Sequence, residues 1–135
     1  MTTMSRYMLK AAVVQRLADV AVEHPAGHQG KLAARFILRT PDGERVELMF
    51  EKGPATPANL WVCERFVQNL DSTMISQRRS TAGALYRSKK ADGKKIYGRH
   101  SGLRPMPQLS DADLVCFKLE GMEDLEKVLA ALQSR

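Results

Sequence analysis

The chain has 135 residues and a formal net charge of +6, with 44% apolar and 27% charged residues. That is the size and balance of one globular domain, spanning residues 1–135, which can bury a core without staples. No apolar run approaches the ~20 residues of a membrane-spanning helix, and residues 1–10 lack the pattern of a secretory leader, so a soluble, cytoplasmic protein is expected.

In chain order, residues 5 to about 22 place Val13, Val14, Leu17, Ala18 and Ala21 at three- and four-residue spacing. This predicts an amphipathic helix with Ser5 as its N-cap. Residues 19–23 also alternate, so the helix is open to ending near Leu17 with a strand following. Leu32, Ala34, Phe36 and Leu38, then Val46, Leu48 and Phe50, mark two strands around Thr40-Pro41-Asp42-Gly43. Proline presets φ and glycine takes the left-handed position, so a β-hairpin is predicted. Arg35, Arg39, Arg45, Glu47 and Glu51 are expected on its solvent face.

A strand is predicted from Leu60 to Val67, with Trp61, the single tryptophan, expected in the core rather than as an exposed stacking platform. Residues 69–83 are polar and read as an irregular segment. Residues 84–90 and 94–100 flank Asp92-Gly93, a hairpin signal. Residues 114–119 alternate as a strand. Met122, Leu125, Val128, Leu129 and Leu132 form the stripe of a last helix, with Glu123 and Asp124 in its first turn, where the helix dipole favours negative charge. The pattern is α+β: a mostly antiparallel sheet of about five or six short strands, with an N-terminal and a C-terminal helix packed on it. Cys63 and Cys116 each lie in a strand-like stretch and are expected as buried free thiols.

Charge is the chief functional signal. Residues 78–104 carry nine Lys or Arg and one acid, Asp92, a local charge of +8, so the remainder nets −2. Such concentration is the footprint of a polyanion partner. Arg78, Arg79, Arg87, Lys89, Lys90, Lys94, Lys95, Arg99 and Arg104 are the candidate phosphate contacts. Tyr86 and Tyr97 are candidates to stack on bases, and His100 lies in the glycine-flanked exit of the hairpin. If Asp92-Gly93 forms a two-residue turn, Lys90 opposes Lys95, Ser88 opposes Tyr97 and Tyr86 opposes Arg99; a three-residue turn would put the Tyr86 and Tyr97 sets on opposite faces. Like charges facing each other ask for an external anion or for solvent.

Catalytic and metal signals are weaker. His24 and His28 are four apart, but Pro25 and Gly27 between them break any shared helix face, so no metal or cofactor is expected. Glu47 and Glu51 with Lys52 come nearest to a metal-assisted nuclease pattern and lack a third ligand. The expected function is therefore a small, non-enzymatic domain that binds DNA or RNA through residues 78–104. The alternative is an adaptor or inhibitor module binding an acidic protein partner. The acidic 111–126 region also offers the hairpin of a second copy a complementary surface, which would give a homo-oligomer.

Overall fold

A computed structural model describes residues 5–71, 73–82, 86–89, 95–97 and 99–134, with residues 86–89 and 95–97 as backbone. Ser5 caps helix α1 (Arg6–Val20) by accepting the Met8 N–H at 3.2 Å. The helix buries Leu9, Val13 and Leu17, each one turn from the next. It continues past Leu17 to Val20, and β1 takes only Val22–Glu23. The chain then forms β2 (Ala33–Arg39), β3 (Arg45–Glu51), β4 (Asn59–Cys63) and β5 (Gln77–Ser80). A ribbon of β6 (Tyr86–Lys89) and β7 (Lys95–Tyr97) follows, then β8 (Leu114–Lys118) and helix α2 (Met122–Gln133).

Six strands pair antiparallel in the order β1-β2-β3-β4-β8-β5, and β6 and β7 form a separate two-stranded sheet. The β2–β3 hairpin turns where the sequence predicts. Gly43 has φ +88° and its N–H reaches Thr40 O at 2.9 Å. The meander holds from β1 to β4 and then breaks. The chain passes through β5, the ribbon and a long loop before β8 inserts between β4 and β5.

One face of the sheet is apolar across its four middle strands: Ala34, Phe36 and Leu38 on β2, Val46, Leu48 and Phe50 on β3, Leu60 and Val62 on β4, Val115 and Phe117 on β8. All are buried in one continuous core with the stripes of both helices. Arg16 Nε meets Glu126 Oε1 at 2.7 Å and ties the two helices on their outer side. No helix among the described residues is long and apolar enough to cross a membrane.

Three expectations are corrected. Residues 69–83 are not wholly irregular, because β5 pairs with β8 from Gln77↔Phe117 to Ser80↔Leu114. The ribbon register is shifted: Lys89 opposes Lys95, Ser88 opposes Ile96 and Tyr86 opposes Tyr97, with an irregularity between Tyr86 and Ser88. The Asp92-Gly93 turn itself lies outside the described residues. Third, Arg35, Glu47 and Glu51 are buried, not solvent-facing. The face they share is covered by the 99–110 loop, a distant stretch of chain that alternation within β2 and β3 does not reveal.

Candidate nucleic-acid interface

The second face of the sheet has two halves. Over β2 and β3 the 99–110 loop lies as a strap. Its Leu103, Met106 and Leu109 are buried, and the charged groups Arg35 and Glu47 beneath it are hydrogen-bonded to it. Arg35 Nε donates to Gly102 O at 2.8 Å and its NH1 to Gly27 O at 2.9 Å. Burial holds the Arg35 pKa below its ordinary value. Glu47 Oε1 accepts the Gln108 N–H at 2.8 Å, and Gln108 Oε1 accepts the Glu47 N–H at 2.8 Å. Gly102 is required by close approach. A Cβ there would stand 3.0 Å from Ala33 Cβ, Gln29 Oε1 and His100 Nδ1.

Histidines serve this half of the molecule in a common way. The Nδ1 of His24, His28 and His100 accepts a backbone N–H from Ala26, Arg35 and Gly102 respectively, at 3.0, 3.0 and 2.9 Å. That leaves each ring proton on Nε2, which faces a carboxylate: Glu47 at 2.6 Å, Glu23 at 2.9 Å and Glu51 at 3.8 Å. Glu51 Oε2 also accepts the Trp61 indole N–H at 2.6 Å. Glu47 and Glu51 thus orient separate histidines and do not converge as an acid pair. Among the described residues no three His, Cys, Asp or Glu side chains are grouped to hold a metal ion.

The cations of the 78–104 region divide by what already engages them. Arg79 Nε pairs with Glu64, and its NH2 lies 3.4 Å from Asp113 Oδ2, so the Glu64 hydrogen bond and charge raise its pKa above the ordinary value. Arg99 donates from Nε to Ser80 Oγ at 2.9 Å, from NH2 to Ser80 O at 2.9 Å, and from NH1 to Leu109 O and Ser110 O at 3.3 and 3.2 Å. It clasps Ser80, at the end of β5, to the strap. His100 is held between Gly102 and Glu51, as above. Arg104 is exposed at the end of the 101–103 turn. Arg87, Lys89, Lys90, Lys94, Lys95, Tyr86 and Tyr97 belong to the ribbon segment. Lys89 and Lys95 face each other across it by register, and Lys90 and Lys94 lie outside the described residues.

Arg78 is different. Its guanidinium carbon lies 5.0 Å from the centroid of the buried Trp61 ring, a cation–π contact, and no carboxylate among the described residues pairs with it. It lines a cleft of about 340 Å³ on the uncovered half of the second face, over β4, β8 and β5. Ser76, Asn59 and Lys118 line it too, with Cys116 at its floor. None of these three stood out in the sequence. They meet because β8 inserts between β4 and β5, which sets Asn59 opposite Lys118 and Arg78 opposite Cys116. The only signal was the alternation that puts Cys116 and Lys118 on one face of their strand.

Comparison with protein-family models, with characterised proteins and with solved structures finds no significant match to this chain.

Proposed function

We propose that this chain is a non-enzymatic, cytoplasmic nucleic-acid-binding domain that engages phosphates through the ribbon. The observation that supports the reading most is topological. Arg87, Lys89 and Lys95 belong to a two-stranded element separate from the six-stranded sheet, and the sequence that joins its strands adds Lys90 and Lys94 against the one acid Asp92. A two-stranded ribbon fits the major groove, and cations set along a backbone neutralise successive phosphates. Arg79 and Arg99 are already engaged, Arg79 by Glu64 and Asp113 and Arg99 by Ser80, Leu109 and Ser110, and leave the count of phosphate contacts.

With five contacts, log K against log salt should fall with a slope of about −3.5 on single strands to −4.5 on duplex. Fluorescence titration of labelled single-stranded DNA, duplex DNA and RNA at 50 and 200 mM salt tests this. No binding to any of the three at the lower salt overturns the reading.

The second reading, a module for an acidic protein, has an observation of its own. A groove of about 600 Å³ runs along α1, lined by Tyr7, Ala11, Val14 and Pro54, with Arg6, Lys31 and Lys52 around it and no acid among its described residues. Tyr7 is 84% exposed. An amphipathic helix with acidic flanks suits such a groove. A stoichiometric protein retained after nuclease treatment, and lost on Tyr7→Asp, would favour this reading over the first.

A further inference from the structure

In the cleft over β4, β8 and β5, unspent hydrogen-bond donors gather with no carboxylate among the described lining residues. Arg78 is stacked on Trp61 and has no anionic partner among the described residues. The Lys118 ammonium, the Asn59 carboxamide and the Ser76 hydroxyl make no side-chain hydrogen bond or ion pair among the described residues. Burial pushes the Cys116 thiol up to about 12, so the floor is neutral throughout the physiological range. Two cations therefore share a cleft whose described lining holds no negative charge. Without a ligand their mutual repulsion is relieved only by water and salt.

The donors also differ in kind. A guanidinium fork, an ammonium point charge, a carboxamide N–H₂ and a hydroxyl together suit an anion with several oxygens in a tetrahedral array. A phosphate monoester carries about −1.5 to −2 charge at neutral pH and three acceptor oxygens. The cavity, at about 340 Å³, lies at the small end of ligand sites.

We propose that this cleft is a seat for a phosphate monoester, with Arg78 and Lys118 neutralising it and Asn59 and Ser76 fixing its oxygens. The backing of Trp61 matters, because the indole holds the guanidinium in place before a ligand arrives and so lowers the ordering cost. The inference deepens the nucleic-acid reading without depending on the ribbon. The same chemistry is offered by a free nucleoside 5′-monophosphate and by the 5′-phosphate at the end of a strand.

The test titrates the full chain with inorganic phosphate, a nucleoside 5′-monophosphate and the parent nucleoside, following ¹H–¹⁵N shifts and calorimetric affinity. The monophosphate should bind, the nucleoside should bind at least about tenfold more weakly, and shifts should centre on Asn59, Gln77, Arg78 and Lys118. Arg78→Gln and Lys118→Gln should each weaken the monophosphate about tenfold, the loss expected for a charge-assisted hydrogen bond. Asn59→Asp, which places a carboxylate in the cleft, should abolish binding while thermal unfolding confirms a folded chain. Equal affinity for nucleoside and monophosphate, or unchanged affinity in all three variants, overturns the proposal.

Oligonucleotides with 5′-phosphate and 5′-hydroxyl ends separate the sources. A gain from the phosphate that Lys118→Gln removes assigns the cleft to strand ends; no gain, with the free monophosphate bound, assigns it to the small ligand. If the monophosphate binds and no oligonucleotide does, the ribbon reading falls and the cleft stands. If oligonucleotides bind and the monophosphate does not, the reverse holds.

Discussion

The burial of Glu47 shows how a polar side chain becomes structural. Its carboxyl accepts from His24 Nε2 and from the Gln108 N–H, and it is 0% exposed. Removing it strands two buried donors, each costing about 1–3 kcal/mol. Glu47→Ala should therefore lower unfolding free energy by about 2–5 kcal/mol in urea. Arg45→Ala, exposed on the same strand, should stay within about 0.5 kcal/mol. Equal effects of the two would remove the strap from this account. Cys116 gives a second residue-scale expectation. Desolvation raises its folded pKa from 9.0 to about 12, with Arg78 opposing the rise and Glu51 adding to it. Between those values the unfolded thiol has lost its proton while the folded one keeps it, so the folded state binds more protons. Its contribution is complete below pH 9 and declines as pH rises toward 12, by up to ~1.4 kcal/mol per pH unit. Urea midpoints from pH 8 to 11 should fall more steeply for the wild type than for Cys116→Ala; parallel curves would contradict the burial argument.

At the scale of elements, the ribbon depends on its base. Arg99 is the only described side chain that bonds both Ser80, where β5 ends, and the carbonyls of Leu109 and Ser110 in the strap. Its planar fork suits several acceptors at once, which an ammonium does not. Arg99→Lys should cost about 2 kcal/mol of stability. It should also speed hydrogen exchange at the β6 and β7 amides more than in α2; uniform change across the molecule would show a general rather than local role. This clasp explains part of what the sequence concealed. The β2–β3 hairpin, α1 and α2 were legible because their signals are local: a Pro-Asp-Gly turn, a cap, a stripe at helical spacing. The strap was not, since Gln108 meets Glu47 across 61 positions and nothing near either residue announces the other. Nor was the cleft, which exists only through the place of β8 in the sheet. Arg99 and Arg79 read as phosphate contacts for the same reason: charge is visible in a sequence, and its engagement by Glu64, Asp113 or main-chain carbonyls is not.

Over the whole molecule, the design separates a body that is nearly charge-balanced from an element that is strongly basic. The six-stranded sheet, both helices and the strap supply the buried core, and the residues flanking the basic region net −2. The segment from Tyr86 to Tyr97 carries five cations and one acid in sequence and forms a sheet of its own, so its charges should affect binding far more than folding. Lys89→Glu with Lys95→Glu replaces two positive charges by two negative ones and takes the net charge from +6 to +2. The pair face each other across β6 and β7, so reversing both keeps a like-charge pair and leaves the cross-strand cost similar. Unfolding free energy should then change by no more than about 0.5 kcal/mol, as for surface positions generally. Oligonucleotide affinity should drop on every sequence alike, and the salt slope should flatten by about 1.4 to 1.8 as two contacts are lost. Loss of affinity confined to one sequence would mean that the lysines read bases, not phosphates. A large loss of stability would mean that the ribbon is part of the folded core after all, and that its charge is held by the protein itself.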